Sequence, residues 1–151
     1  MDVKREAAIA SSFATMTQIP FDPDTIPWIP LAPGESFKPL VFLPEDRGRA
    51  LLLRLEPGTV VPWHRHTGEV HALNVSGRRR LHTGEIIGPG GYVYEPPGNV
   101  DTWSAVGDEP VVVHIVAYGA MEYLGKDGTV ERTDTAASLR AIYDQFRARG
   151  L

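Results

Sequence analysis

The sequence predicts an all-β domain, a sandwich or closed barrel of short strands followed by one C-terminal helix. Two observations carry this. Thirteen prolines and fifteen glycines punctuate short apolar segments across the middle of the chain, a spacing that reads as many short strands joined by tight turns. Near the C-terminus, Leu139, Ile142, Tyr143 and Phe146 recur at i, i+3, i+4, i+7, one apolar stripe on a helix.

Taken in order, residues 3–16 can form a loose helix, and the proline-rich stretch 17–33 must run extended. Strands are expected at 37–42, 50–55, 60–66, 70–75, 79–82, 91–95, 101–105, 111–118 and 121–124. Turn signals separate them, among them Glu56-Pro57-Gly58, Ser76-Gly77, Pro96-Pro97-Gly98 and Lys126-Asp127-Gly128. The final helix takes Asp134 or Thr135 as its N-cap and Gly150 as its stop. It is expected to cover an open face of the barrel. The chain thus divides into an N-terminal arm (1–34), a barrel (35–130) and a C-terminal helix packing on it (131–151). Its 151 residues make one domain, long enough to bury roughly 70% of the unfolded surface.

Composition excludes several function classes. With no cysteine there is no thiolate metal site, cysteine nucleophile or disulfide framework. The net charge is −4 with both signs mixed along the chain, which does not suit a nucleic-acid partner. Arg78, Arg79 and Arg80 read as a charged hairpin. No apolar run approaches the roughly 20 residues that span a bilayer. The N-terminal stretch lacks the apolar core and cleavage site of a secretory signal, so a cytoplasmic location is expected. No Ser-His-Asp order, phosphate loop or nucleotide fingerprint is present.

Histidine carries the chemical signal. All five histidines lie between residues 64 and 114. His64 and His66, two apart on a strand, point to one face, with Val60 and Pro62 sharing it and Trp63 and Arg65 on the other. Two imidazoles on one buried face are costly unless something uses their nitrogens, and a metal does so. His71 shares parity with Leu73 and Val75, and that apolar parity places it toward the interior. Glu69 has the same parity; it is a fourth ligand, an acceptor for an imidazole N–H, or an exposed turn residue. His114 either lines the pocket as an acid or base or is a hydrogen-bonded core histidine. His82, beside Thr83-Gly84, reads as a solvated turn residue. Trp103, Tyr92, Tyr94 and Phe42 either shape an apolar substrate pocket or belong to the core.

These residues resemble a known family. The segment from Gly58 through His64-Arg-His66 and His71 to Gly77 resembles the first cupin motif, G-x5-H-x-H-x3,4-E-x6-G, with His71 where the family usually has glutamate. The segment Pro89-Gly90-Gly91 through Pro96-Pro97-Gly98 to Asp101 resembles the second motif, G-x5-P-x-G-x2-H, with Asp101 where the last histidine usually stands. The resemblance implies a single cupin barrel, a double-stranded β-helix or jelly roll. It also implies one divalent ion held by His64, His66, His71 and Asp101. Such a mixed imidazole and carboxylate set suits Fe(II), with Zn, Mn, Ni or Co as alternatives.

A narrower resemblance, on His64-Arg-His-Thr-Gly-Glu-Val-His71, Tyr94-Glu95 and the stretch from Ile115 to Leu124, is to cupins related to 2,4′-dihydroxyacetophenone dioxygenase and, more distantly, to acetylacetone dioxygenase. It implies a non-haem Fe(II) enzyme that uses O2 to cleave a C–C bond in a small ketone, diketone or hydroxyaryl ketone. The alternatives are a redox-neutral cupin (isomerase, cyclase or decarboxylase) on the same metal, or a non-catalytic metal-binding sensor domain. The expected partners are a small-molecule substrate, O2 and a second copy in a homodimer.

Overall fold

The computed structural model describes residues 2–5 and 18–150. Beyond residue 5, the helix expected over residues 3–16 lies outside the described residues. Among the described residues, twelve strands form two six-stranded antiparallel sheets. In chain order they are β1 (Ile29–Ala32), β2 (Glu35–Phe42), β3 (Gly48–Leu55), β4 (Val60–His66), β5 (Val70–Ser76), β6 (Arg78–Leu81), β7 (Ile86–Ile87), β8 (Tyr92–Glu95), β9 (Val100–Val106), β10 (Val111–Tyr118), β11 (Met121–Leu124) and β12 (Val130–Asp134). One sheet has the order β1-β2-β3-β10-β5-β8 and the other β12-β11-β4-β9-β6-β7. From β3 to β11 the chain crosses repeatedly between the two sheets, which is the cupin jelly roll.

Three strands were not expected. Pro30 lies in β1, an edge strand, where a missing N–H costs no ladder bond, so the proline-rich arm can join the sheet opposite Ser36. β7 has only two residues and pairs with Arg79 and Arg80. β12, in the segment assigned to the C-terminal helix, pairs with β11 across the turn at Gly125–Thr129.

The core lies between the sheets. Phe37, Leu55, Val61, Val111 and Val113 are at most 2% exposed, and burying each contributes roughly 1.5–3 kcal/mol. Gly77 joins β5 to β6 at φ 69°, where a Cβ would sit 2.2 Å from the Pro110 carbonyl oxygen. No L side chain fits that turn.

Helix α1 (Ala136–Ala148) starts at Thr135. The Thr135 hydroxyl accepts from the Ser138 amide, and the Ser138 hydroxyl accepts from the Thr135 amide, a reciprocal cap. Leu139 is buried, and Ile142, Tyr143 and Phe146 pack against the core cluster. The stripe thus packs on that cluster, and the chain turns away near Gly150 at φ 72°.

Candidate metal centre

His64 and His66 sit on β4, and their position depends on an irregularity. The β4–β9 register shifts between Val61 and His64, a bulge that re-aims the strand. Val61, His64 and His66 turn inward, while Val60, Pro62 and Trp63 are exposed. The expectation that Val60 and Pro62 share the histidine face is corrected on this ground: simple alternation fails across a bulge.

Glu95, at the end of β8, completes the group. One ligand atom from each of His64, His66 and Glu95 lies within 4.8 Å of the others, and all three residues are buried. Nδ1 of His64 donates to the Pro62 carbonyl across 2.7 Å, which leaves the Nε2 lone pair for a metal. Nε2 of His66 lies 3.9 Å from Oε2 of Glu95. Burial pushes the His64 imidazole below its ordinary value. Burial, with His64 and Arg49 adding to it, pushes His66 down to about 3. Both rings are therefore neutral at ordinary pH, the form that binds metal. Burial raises the Glu95 carboxyl, against the hydrogen bond from Asn99. A cation in this position would reverse that by favouring the ionised form. Two neutral imidazoles and one carboxylate, all turned inward, fit a divalent ion.

The group lines a cavity of about 60 Å³ between the sheets. Leu51, Leu53, Val61, Ala72, Ile115 and Trp103 supply apolar wall, and Leu139 of the helix closes it. Arg49, Arg79, Glu35, Tyr123 and Asp134 add polar groups.

The other expected site residues are distributed differently. The interior face of β5 carries Val70, Ala72 and Asn74. His71 lies on the opposite, outer face with Leu73 and Val75, so the structure does not bring it to His64 and His66. Apolar parity misled here because Asn74 is buried with its amide satisfied: it donates to the Ile87 carbonyl and accepts from Arg79 Nε. Nδ1 of His71 instead contacts the Tyr92 hydroxyl, and its Nε2 is 3.7 Å from Glu69. Tyr94 donates to Glu69 across 3.3 Å. Tyr92, Tyr94 and Glu69 thus form an outer cluster with His71, away from the cavity. Tyr92 and Tyr94 are half exposed. His114 alternates with the inward-facing Val113 and Ile115 and pairs with Leu52 and Leu73 on the outer face of the sheet.

Asp101 is buried, opposite His64 in the β4–β9 register. Its Oδ1 accepts from Nδ1 of His82 across 2.6 Å. His82 is therefore not a free turn residue, and Trp63 packs against it with tilted rings whose centroids are 5.2 Å apart. Trp103 is in the cavity wall, and Phe42 packs against Tyr143 with ring centroids 6.3 Å apart.

Sequence reasoning missed Glu95, Arg79, Arg49 and Glu35. Glu95 left a signal: it shares parity with Val93 and ends its strand directly before Pro96-Pro97-Gly98. The arginines left none, because a charged side chain in a turn-rich stretch reads as surface.

The family described as the ChrR cupin-like domain matches residues 16–122. The chain belongs to that family. Among solved structures it is similar to an RmlC-like cupin protein from Ralstonia eutropha JMP134, with TM-score 0.82 and 22% identity over 92% of this chain and 93% of that one. It is also similar to an acetylacetone dioxygenase from Acinetobacter johnsonii (TM-score 0.72, 13% identity, 84% and 90% covered). A third is the polyketide cyclase RemF from Streptomyces resistomycificus (TM-score 0.59, 16% identity, 78% and 84% covered). At these identities the likeness is one of fold. Comparison with curated proteins gives no match. Among the described residues no helix is long and apolar enough to cross a membrane.

Proposed function

We propose that the chain is a metal-dependent cupin enzyme, a non-haem Fe(II) dioxygenase that cleaves a C–C bond in a small ketone, diketone or hydroxyaryl ketone with O2. The observation that carries this is the His64, His66 and Glu95 group in the wall of a partly open, largely apolar cavity. Two histidines and one carboxylate are the donor set of non-haem Fe(II) oxygenases. When bound, the ion supplies Lewis acidity and one-electron exchange with O2. The chain's own residues prepare the site. The Pro62 carbonyl fixes the His64 tautomer, and Asn99 orients Glu95 by donating to it across 2.7 Å. The apolar wall excludes water, and Trp103 offers a flat surface to a substrate. Tyr123, pushed up to about 12 by burial and by Glu35 and Asp134, keeps its hydroxyl proton.

O2 uptake by the Fe(II)-loaded protein with a panel of such ketones tests the reading. Consumption of one O2 per substrate cleaved supports it. Turnover without O2 gives the site to a redox-neutral isomerase, cyclase or decarboxylase, the class to which the similarity to a cyclase points. We also infer a cytoplasmic homodimer paired through the outer face of the β1-to-β8 sheet. Leu73, Val75, Tyr92 and Tyr94 support it, because they expose apolar surface there. Light scattering that gives the monomer mass at all concentrations ends that idea.

A further inference from the structure

Three buried side-chain atoms lack a hydrogen-bond partner among the described residues: Arg49 Nε, Arg79 Nη2 and His66 Nδ1. All three residues line the same cavity. Arg79 is 2% exposed and Arg49 4%. They come from facing sheets, Arg79 from β6 and Arg49 from β3. Arg79 is held firmly: its Nε donates to Asn74 across 3.1 Å, and its guanidinium lies 4.7 Å from the centroid of the Trp103 ring. Arg49 donates through Nη1 to the Gly119 carbonyl across 3.1 Å.

A buried guanidinium is costly without a counter-charge. Neither arginine forms an ion pair within 4.0 Å among the described residues. The carboxylates around them are engaged elsewhere. Glu95 accepts from Asn99, and Asp101 accepts from His82. Asp134 accepts from Arg132, and Asp46 accepts from the Ala137 amide. Glu35 has no such partner, but burial raises its carboxyl toward the neutral form. The cavity therefore holds two fixed cations, each with an N–H that no carboxylate of the lining accepts from among the described residues.

We propose that the ligand of this cavity is a small oxo- or hydroxy-acid, its carboxylate seated on Arg79 and a second oxygen turned toward Arg49. This rests on the same cavity being the substrate site of the function proposed above, and it narrows the substrate from ketones in general to those carrying a carboxylate. Guanidinium and carboxylate match in shape, and a charge-assisted pair is stronger where water is excluded. Asn74 and Trp103 hold Arg79 in place, so ordering it costs little on binding.

The test uses two nearly isosteric probes, 4-oxopentanoate and the neutral hexane-2,5-dione, titrated calorimetrically into the full chain with metal and again after stripping it. The parent should prefer the carboxylate by about tenfold or more in both forms, about 1.4 kcal/mol. Arg79→Gln should bring the preference below about twofold while metal content is unchanged. If Arg79→Gln does not fold, Arg79→Lys, which keeps the charge and loses the fork, should lower the preference at least threefold. Equal binding of the two probes by the parent overturns the proposal. So does a preference that survives the Arg79 substitution, and so does one present only with metal, since the carboxylate then sits on the ion. A chain that holds no metal yet prefers 4-oxopentanoate contradicts the metal-dependent function and leaves this inference standing.

Discussion

Nε2 of His66 lies 3.9 Å from Oε2 of Glu95, although the two residues belong to different sheets. A shared ion would offset the cost of burying both. Burial holds the imidazole neutral, with its lone pair free for a cation, and burial raises the carboxyl, a change that a cation between them would reverse.

Removal of the metal should lower stability. An ion that binds only the folded state stabilises it by about 2.7 kcal/mol at a free concentration of 100 times its Kd. Thermal melting before and after chelation reads this directly. Coincident melting curves would contradict a site in the folded chain.

His71→Ala should leave metal affinity within about twofold of the parent, because His71 is on the outer face with Tyr92 and Glu69. Ion titration of the variant checks it. A tenfold loss would mean that the β5 strand presents its other face to the site.

Much of the barrel was legible in the sequence, because alternation and turn residues mark strands wherever the two periodicities hold. The failures came where they do not. A bulge broke the alternation of β4, yet the H-x-H spacing survived it because both histidines lie beyond the bulge. The parity of β5 was inverted because its buried face carries Asn74, a polar residue satisfied by Arg79 and Ile87. Leu73 and Val75, apolar and exposed, took the place of a core signature. Asp101 was placed at the metal only by the resemblance to the second motif, and its engagement with His82 was not legible, since it joins residues 19 apart through the fold. Arg79 shows the converse. It reads as surface charge and is among the most deeply buried side chains.

Glu35→Gln should make stability less dependent on pH. Burial raises the Glu35 carboxyl above its ordinary 4.5, so the folded state holds that proton more tightly than the unfolded chain. The parent then loses stability as pH rises from about 4.5 through the folded value. The melting temperature of the variant relative to the parent should be higher at pH 8 than at pH 4. A constant difference across that range would place Glu35 in contact with water or a fixed cation.

Leu139→Ala should cost about 2–4 kcal/mol, since Leu139 is 3% exposed and closes the cavity from the helix. Melting should fall by roughly 5–15 °C for a chain of this size. A loss under 1 °C would show that the helix does not seal the barrel.

The proposed function depends on His64, His66 and Glu95 forming one metal centre. Metal affinity of Glu95→Gln beside the parent tests it most directly, because the substitution keeps the shape and removes only the charge and the anionic donor. The parent should bind one divalent ion per chain, and the variant should be weakened by at least 100-fold, ~2.7 kcal/mol, with the fold intact by circular dichroism. A folded variant that binds the ion as tightly as the parent would contradict it.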